Sequence, residues 1–347
     1  MVKKKRLNVI SLFSGMGGMD LGLKKAGYKI LVHVDNDPYC IETLRENWKK
    51  TPIICKDIAL LNSKEILKKV KIRRKDVDII AGGPSCQPFS RSNEGKRKGT
   101  KDARGLMIFE FARIVREIQP KAFIMENVAG LLSSNKGKDF KKLLAYYKKI
   151  RYSVFYKVLN AVGFGIAQKR KRLFLVGFKN KVNFEFPNPT HGVELKPFVA
   201  VKEVIEDLDD GKVHDGKVSI GGKHGHLINK VPPGMNYIYY TSEFSKKHVL
   251  FKDRSKFWTF LLKLNPNEPS TTIQAQPWNS VGPFHWNNRR LTLNEIKRIQ
   301  GIPDSYFVAG VRGNGNEYGS NAWMQIGNAV PPKLAEVVGK AVKDYLN

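Results

Sequence analysis

LNVISLFSGMGGMDLGLKKAGYKILVHVDND (residues 7–37) is the stretch that decides the fold class. Its first apolar run, 7–13, has the composition of a β-strand and stops at a cluster of glycines. The next residues carry apolar side chains at the spacing of an amphipathic helix, and a second apolar run ends in acidic residues. Strand, glycine turn, helix and strand together indicate a parallel sheet, because parallel neighbours are joined by a crossover helix.

The alternation of strand and helix continues to residue 178. Helices are predicted between several further strands, which lie at 51–58, 76–83, 121–130, 154–161 and 171–178. Such alternation predicts an α/β fold with a doubly wound, mostly parallel sheet. Ligands of open sheets bind beyond the carboxyl ends of the strands, so the residues that follow each strand are the candidates for a site.

The composition of the sequence changes near residue 186, and from there to about residue 288 it is rich in glycine, histidine, proline and aromatic residues. This region has no internal repeat and no low-complexity tract, so a second folded domain is predicted. The boundaries expected are 1–186 for the first domain, completed by the C-terminal segment 321–347 with its amphipathic helix. The second, smaller domain is expected at 187–320 and includes a hinge block at 289–306.

The chain is strongly basic, with 61 lysines and arginines against 31 acidic residues and a net charge of +30. A field of that sign attracts polyanions, and nucleic acid is the favoured partner. A lysine-rich proteome is a weaker explanation because it would usually raise glutamate too, and ribosomal or membrane-surface proteins share such a charge. No apolar stretch is long enough to cross a bilayer and the basic start lacks a signal-peptide cleavage site, so a cytoplasmic, non-membrane protein is expected.

The cysteine and histidine spacings do not indicate a metal site. Cys40, Cys55 and Cys86 form neither a CxxC pair nor an even disulfide framework. His224 and His226 lie close together, but two imidazoles without further ligands do not make a zinc site. No metal is therefore predicted.

The glycine turn FSGMGG, 13–18, and Asp35 indicate an adenosine-bearing cofactor. Glycines directly after a first strand let a ligand approach the backbone and the amides of the next helix, although a tight turn alone would use the same residues. Asp35 ends the second strand about 20 residues further on, where a carboxylate can accept hydrogen bonds from ribose hydroxyls. Asp57, after the third strand, is a candidate for the adenine amino group or for a helix cap.

Cys86 lies in AGGPSCQPFS, 81–90, just beyond the fourth predicted strand. A buried structural role is the commoner fate of a free thiol, but the loop position, the polar neighbours and the flanking glycine and proline favour a nucleophile. Arginines such as those of QKRKR, 168–172, could activate it as a thiolate. Glu126, at a neighbouring strand tip, is placed to act as a proton donor.

These blocks, in this order and over nearly the whole chain, resemble the C5-cytosine DNA methyltransferases, in particular the stand-alone prokaryotic enzymes of restriction-modification systems. FSGMGG resembles the family's S-adenosylmethionine loop, GGPSCQPFS its nucleophile loop, MENVAG the block with its glutamate, and QKRKR its arginine pair. RRLTLNEIKRIQGIPDSY resembles the block after target recognition, and QIGNAVPP the final cofactor-contacting turn. The resemblance implies an S-adenosylmethionine-dependent methyltransferase fold with a smaller, irregular target-recognition domain.

The resemblance also implies the reaction: methyl transfer from S-adenosylmethionine to C5 of a flipped-out cytosine in a short, specific sequence of double-stranded DNA, leaving S-adenosylhomocysteine. Cys86 would attack C6, Glu126 would contact N3, Arg172 would lie near the base and Glu126, and Arg170 would hold backbone or loop. The implied cofactor-binding residues are Phe13, Gly15, Gly17, Asp35, Asn36, Asp57, Ile58, Pro84, Asn328 and Ala329. The residues expected to contact DNA are Gln87, Ser90, Arg91, Gln168, Thr271, Thr272 and Gln274.

Two positions depart from the family pattern. Ser85 stands where the family carries proline before the nucleophile, and Met107 where leucine is usual. One alternative is a transfer-RNA cytosine methyltransferase of the same family, whose recognition region is much smaller than the one here. Another is a catalytically silent binder, which the presence of both Cys86 and Glu126 disfavours. A monomer is expected, acting separately from any cognate restriction endonuclease.

Overall fold

The computed structural model describes residues 6–84, 106–209, 220–244, 246–277, 279–311, 317 and 319–346. Ser85 and four of the predicted site residues lie outside these ranges, namely Cys86, Gln87, Ser90 and Arg91. None of the helices within them is long and apolar enough to span a membrane. In the same ranges, no group of three or more His, Cys, Asp or Glu side chains could hold a metal ion.

The described residues form seven strands and nine α-helices. The strands are β1 (Asn8–Leu12), β2 (Lys29–Asp35), β3 (Ile53–Cys55), β4 (Ile79–Gly82), β5 (Ala122–Asn127), β6 (Ser153–Asn160) and β7 (Lys171–Phe178). The helices are α1 (Gly18–Lys25), α2 (Pro38–Asn47), α3 (Ser63–Val70), α4 (Met107–Ile118), α5 (Lys138–Lys149), α6 (Lys202–Ile205), α7 (Leu293–Gln300), α8 (Asn321–Asn328) and α9 (Pro332–Asp344).

The strands form a sheet in the order β3-β2-β1-β4-β5-β7-β6. Strands β1 to β5 run parallel, whereas β7 pairs antiparallel with both β5 and β6. The strand order changes direction at β1, which has β2 on one side and β4 on the other, and such a switch point opens a crevice beyond the carboxyl ends of the strands. The predicted α/β class with a doubly wound, mostly parallel sheet is confirmed.

The central strands are buried along their length, which explains their continuous apolar runs. Every residue of β4 and β5 is buried, and so are the last four residues of β1. Phe123 of β5 stacks on Tyr147 of α5 with 4.3 Å between the ring centroids, and it meets Phe111 of α4 edge-on. Close packing of this kind fixes the ends of β1, β4 and β5, and with them the loops that begin there.

The contacts between residues divide the chain into two compact units. The first consists of Met1–Asn160, Lys171–Asn188 and Ala329–Asn347, and the second of Ala161–Arg170 and Pro189–Asn328. The boundaries predicted from the sequence differ in three places, because they assigned Ala161–Arg170 and helix α8 to the first domain and residues 187–188 to the second. The second unit contains α6, α7 and α8, and turns and short 3₁₀ helices make up much of the rest of its described part.

Helix α9 packs against α1 inside the first unit, as its amphipathic pattern predicts, and glycines allow the close approach. A Cβ atom on Gly22 would lie 2.1 Å from the Pro332 carbonyl oxygen and 2.6 Å from the Ala335 Cβ. The Tyr28 hydroxyl donates a hydrogen bond to the Gly339 carbonyl oxygen at 2.8 Å. The C-terminal helix therefore completes the first unit.

Gly22→Ala should destabilise the protein. Alanine is normally favoured over glycine in a helix by about 1 kcal/mol, but here its methyl group would collide with the α9 backbone, and overpacking costs about 1–3 kcal/mol. A Cβ atom 2.1 Å from a backbone oxygen calls for the upper end of that cost, so we expect a net loss of about 2 kcal/mol in the free energy of unfolding, measured by urea denaturation. Gly221→Ala is the matched control, since a Cβ there would lie 3.6 Å from the Arg290 guanidinium, an ordinary contact. A Gly22→Ala protein as stable as wild type would contradict the α1–α9 packing.

Candidate active site

The turn after β1 is held by hydrogen bonds to β2. The Ser14 amide donates to the Val34 carbonyl oxygen at 3.0 Å, and the Val34 amide donates back to the Ser14 hydroxyl oxygen at 3.1 Å. Phe13, Gly15 and Gly17 take positive φ angles of 50°, 54° and 89°. A Cβ on Gly15 would meet nothing within 4 Å, so a ligand can approach the backbone there.

Asp35 closes this turn from the end of β2. Its Oδ2 accepts a hydrogen bond from the Gly15 amide at 2.7 Å, and its Oδ1 accepts from the amides of Asn36 and Asp37 at 2.9 and 3.0 Å. Burial of the Asp35 carboxyl raises its pKa, although the amide donors act to lower it. Asn36 is exposed at the adjoining position. The glycine turn and Asp35 thus form one connected element.

Asp57 follows β3 and begins a short 3₁₀ turn. Its side chain is exposed, and its Oδ1 accepts a hydrogen bond from the Ala59 amide at 2.9 Å, the cap geometry that the sequence left open. Ile58 is buried, and its carbonyl oxygen accepts from the Arg113 guanidinium at 2.8 Å. A cap occupies one carboxylate oxygen, so it leaves room for a contact between Asp57 and a ligand.

Gly83 and Pro84 follow β4 and lie beside the tip of β5. The Asn127 side-chain amide donates to the Pro84 carbonyl oxygen at 3.1 Å. A Cβ on Gly83 would lie 3.1 Å from Glu126 Oε2, so a side chain there would press on this carboxylate. Pro84 precedes Cys86 by two residues. Glu126 therefore lies next to the residues that directly precede Ser85 and Cys86 in the sequence.

Glu126 is paired with Arg172 across the β5–β7 ladder. Arg172 Nε lies 2.9 Å from Glu126 Oε1, and the two side chains are 13% and 9% exposed. Glu126 lies opposite Phe174 in the antiparallel register, which places residues 126 and 172 diagonally on one face of the sheet. A charge-assisted hydrogen bond of this kind fixes the orientation of a nearly buried carboxylate.

Arg170 and Gln168 are completely buried in the second unit. The Arg170 guanidinium donates to the carbonyl oxygens of Gly327 at 2.6 Å and Ile273 at 3.3 Å. The Gln168 side-chain amide donates to Gln300 Oε1 at 2.8 Å, and its oxygen accepts from the Ile273 amide at 3.2 Å. Arg170 holds backbone inside the unit, and Gln168 has no exposed surface to offer DNA in this conformation.

The other described residues expected to contact DNA are half-buried in the same unit, namely Thr271, Thr272 and Gln274. The Thr272 hydroxyl donates to the Lys169 carbonyl oxygen at 2.8 Å. The Gln274 carbonyl oxygen accepts from the Trp323 indole at 2.9 Å. The Thr271 hydroxyl oxygen is buried and has no hydrogen-bond partner among the described atoms. Contact between these side chains and DNA stays a prediction.

Ala329 borders the start of α1 in the first unit. It is buried, and a Cβ on Gly18 would lie 3.2 Å from the Ala329 Cβ and 2.6 Å from the Val330 carbonyl oxygen. Asn328, the last residue of α8, is exposed in the second unit. The residue at 18 must therefore be glycine for the chain around Ala329 to approach the glycine turn so closely.

Sequence reasoning missed two polar contacts beneath the glycine turn. The Ser11 and Ser14 hydroxyl oxygens lie 2.8 Å apart, and Ser14 in turn bonds to β2. Asp20 Oδ2 and His33 Nδ1 lie 3.0 Å apart, and both side chains are fully buried. His33 interrupts an otherwise apolar strand, and this interruption is the one signal that the sequence offers for the pair.

Comparison with known proteins gives matches over nearly the whole chain. Residues 7–344 match the family model described as C-5 cytosine-specific DNA methylase. The chain is 35% identical over 375 residues to the Type II methyltransferase M.SacI of Streptomyces achromogenes, with 98% of this chain and 93% of the relative covered. It is 34% identical over 357 residues to the Type II methyltransferase M.FnuDI of Fusobacterium nucleatum, with 98% and 95% covered.

A solved structure shares the fold. It is that of a candidate DNA modification methyltransferase encoded within a prophage of E. coli, with a TM-score of 0.66, 23% identity and coverage of 98% of this chain and 99% of the other. At that identity the likeness concerns the fold alone. The family match and the two relatives carry the assignment: the chain belongs to the C-5 cytosine-specific DNA methylase family and is a DNA (cytosine-5)-methyltransferase.

Proposed function

We propose that the protein methylates a flipped-out cytosine in a short, specific sequence of double-stranded DNA, with Cys86 as the nucleophile. The observation that carries this proposal is the Glu126–Arg172 pair, held next to Gly83 and Pro84, and Pro84 precedes Cys86 by two residues in the sequence. A carboxylate fixed at that point is placed to contact the ring on which the thiolate acts.

The chemistry depends on making C5 of cytosine nucleophilic. The Cys86 thiolate forms a bond to C6 while Glu126 hydrogen-bonds to or protonates N3, which draws electron density into the ring. C5 then takes the methyl group, the C5 proton leaves to a base, and the bond between C6 and sulfur breaks to restore the thiolate. Arg172 keeps the Glu126 carboxylate oriented throughout.

The target base must leave the helical stack before it can react, because the thiolate cannot reach C6 inside a duplex. Unstacking and unpairing cost a few kcal/mol, which contacts with the DNA backbone offset. The Arg170 guanidinium already bonds to the Gly327 and Ile273 carbonyl oxygens. We therefore assign Arg170 to holding the backbone of the second unit rather than to contact with the base.

The glycine turn and Asp35 suit S-adenosylmethionine, which supplies a methyl group on a sulfonium and leaves as S-adenosylhomocysteine. The open space at Gly15 allows the cofactor to approach the backbone, and the Asp35 carboxylate can accept hydrogen bonds from the ribose hydroxyls. To the same cofactor we assign Phe13, Gly17, Asn36, Asp57, Ile58, Pro84, Asn328 and Ala329. No metal ion is part of this proposal.

The biological role we propose is that of the modification enzyme of a restriction-modification system. Both relatives compared above carry the name Type II methyltransferase, which supports this role and disfavours transfer RNA as the substrate. The protein acts in the cytoplasm as a monomer, since a palindromic site lets one molecule methylate each strand in turn. A cognate endonuclease, acting separately, reads the same sequence.

Cys86→Ala should abolish methyl transfer, because the bond to C6 cannot form without the thiolate. The measurement is transfer of labelled methyl groups from S-adenosylmethionine to unmodified genomic DNA, followed by bisulfite sequencing of the product. Wild type should give methylcytosine within one short motif, and Cys86→Ala none. Cys55→Ala, which changes an exposed cysteine, is the matched control and should keep wild-type activity. Transfer by Cys86→Ala at the wild-type rate would refute the covalent mechanism.

Glu126→Gln should slow methyl transfer by about 10²- to 10⁴-fold, the usual contribution of a general acid or base. The amide oxygen can still accept from Arg172 Nε, so the local fold should survive and binding of S-adenosylmethionine should change little. Single-turnover methylation measures the rate, and calorimetry the cofactor affinity. Glu336→Gln alters a carboxylate on α9 and serves as the control. A Glu126→Gln rate within about twofold of wild type would remove Glu126 from the chemistry.

Cofactor binding should weaken as the pH falls through the raised pKa of Asp35. Protonation removes an acceptor that both Gly15 and the ribose need, and the loss of a charged hydrogen bond corresponds to about a 10- to 100-fold change in affinity. Titration calorimetry with S-adenosylmethionine at successive pH values tests this. Asp35→Asn should bind weakly and lose that pH dependence, whereas Asp344→Asn, an exposed control, should retain it.

The stability of the protein without cofactor should show the opposite trend. A raised carboxyl pKa means that the folded state binds the proton more tightly than the unfolded state, so burial of the charge destabilises the fold only when Asp35 is ionised. That cost is absent below the ordinary pKa and is fully present above the raised one. For the binding prediction above, an affinity for S-adenosylmethionine that is the same below the ordinary pKa and above the raised pKa would contradict a role for Asp35 in binding.

A further inference from the structure

The second unit carries two adjacent, strongly exposed aromatic side chains, Phe257 and Trp258. They are 81% and 62% exposed. Phe244, Val249 and Leu250 are also about half exposed, at 49%, 49% and 58%. Aromatic residues of this size are seldom left in water without a function, and an exposed apolar patch commonly marks a binding surface.

These apolar residues belong to a basic segment, 242–258, which we call the aromatic-basic segment. It contains five lysines and arginines against two acidic residues. Both acids are engaged within the segment: Asp253 accepts from the Ser242 hydroxyl at 2.5 Å, and Glu243 lies 3.2 Å from Arg254 Nε. Lys246, Lys252 and Lys256 are exposed, so the patch presents positive charge beside its aromatic rings.

A cluster of buried aromatic residues supports the segment from beneath. Tyr237, Tyr240 and Phe251 are all less than a tenth exposed. The Phe251 ring contacts the rings of Phe260 at 5.6 Å and His224 at 5.3 Å between centroids. The amides of Leu250 and Phe251 both donate to the Tyr240 carbonyl oxygen, at 2.9 and 3.0 Å. The segment is therefore anchored at its centre, which limits the ways in which its exposed side chains could fold inward.

The backbone of the exposed pair is fixed as well. The Phe260 amide donates to the Phe257 carbonyl oxygen at 2.9 Å, which makes a turn with Trp258 at its second position. The Asn236 side-chain amide donates to the Trp258 carbonyl oxygen at 2.7 Å, and Asn236 is itself 2% exposed. The two rings thus project into solvent from a backbone that is held on both sides.

We propose that the aromatic-basic segment is a DNA-binding surface of the second unit, in which Phe257 and Trp258 stack on bases and the three lysines contact phosphates. The inference rests on the proposed function, and charge complementarity selects duplex DNA as the occupant. Aromatic rings offer every base the same stacking face, and apolar side chains that enter a groove can unstack neighbouring base pairs. This surface is distinct from Gln168, Thr271, Thr272 and Gln274, whose atoms are buried or half-buried.

The test uses the full-length protein and labelled duplex fragments of unmodified genomic DNA. Phe257→Ala and Trp258→Ala should each weaken binding by about 10- to 100-fold, the effect of one lost stacking contact. Trp258→Phe keeps a stacking ring and should stay within about threefold of wild type. Phe198→Ala, which removes another exposed aromatic ring of the second unit, is the matched control and should not change the dissociation constant. Urea denaturation checks that every variant is folded.

Two further measurements separate the contribution of the aromatic rings to DNA binding from that of the lysines. DNA should change the tryptophan fluorescence of wild type, and much of that change should be lost in Trp258→Phe. The triple variant Lys246→Gln, Lys252→Gln, Lys256→Gln should reduce the slope of log affinity against log salt by up to about 3, whereas the alanine variants should leave the slope unchanged.

Two results would overturn the inference. One is an unchanged dissociation constant for both alanine variants. The other is a wild-type protein that dimerises in sedimentation while the alanine variants are monomers with wild-type DNA affinity, which would make the patch a self-association surface. Methyl transfer by wild type at saturating DNA is measured in parallel. If wild type does not methylate DNA, the proposed function fails; if it does and the alanine variants bind normally, only the present inference fails.

Discussion

The hydrogen bond from the Gly15 amide to the Asp35 carboxylate is the interaction on which the proposed cofactor site depends. It joins the turn after β1 to the end of β2 at 2.7 Å, and the Ser14–Val34 pair of hydrogen bonds repeats the connection one residue earlier in the turn and in β2. A turn with positive φ angles at several positions has many alternatives in an unrestrained chain. Because the Asp35 carboxylate fixes the turn and is also the proposed acceptor for the ribose, its protonation would change both the turn and the cofactor contact.

At the proposed catalytic residues a carboxylate is again held in place, here by an ion pair with an arginine instead of by a backbone amide. The Glu126 carboxylate is nearly buried, and Arg172 reaches it from the neighbouring strand rather than from a loop. For the contact with the target base that we propose, a carboxylate held by a guanidinium on the neighbouring strand would not need to reorganise, and preorganised charge of this kind is a large part of enzymatic rate enhancement. Gly83 leaves space for this carboxylate, because any larger residue at that position would place its Cβ against Glu126.

The sheet could be predicted because its pattern is local. The runs at 76–83 and 121–130 are continuously apolar, and β4 and β5 are buried along their length for that reason. Strand ends could be identified as well. The resemblance to the family implied that Arg172 lies near Glu126, and the 2.9 Å contact confirms this, but no local pattern gives the strand order on which that distance depends. Gln168 was expected to contact DNA, yet it bonds to Gln300 and Ile273, 132 and 105 residues away along the chain. A buried partner so distant leaves no trace in the residues near Gln168.

The chain passes between the two units four times, at 160–161, 170–171, 188–189 and 328–329. The second unit is consequently a composite of a ten-residue piece and a long one, and the short piece is joined to the long one through the buried side chains of Gln168 and Arg170. On the proposal that the second unit reads the DNA sequence, specificity could therefore be exchanged between related enzymes only by transferring both pieces together. A transplant of 189–328 without Ala161–Arg170 would leave buried polar groups without their hydrogen-bond partners in both pieces. The evolution of new recognition is thereby linked to a stretch of chain that only Lys171 separates from Arg172.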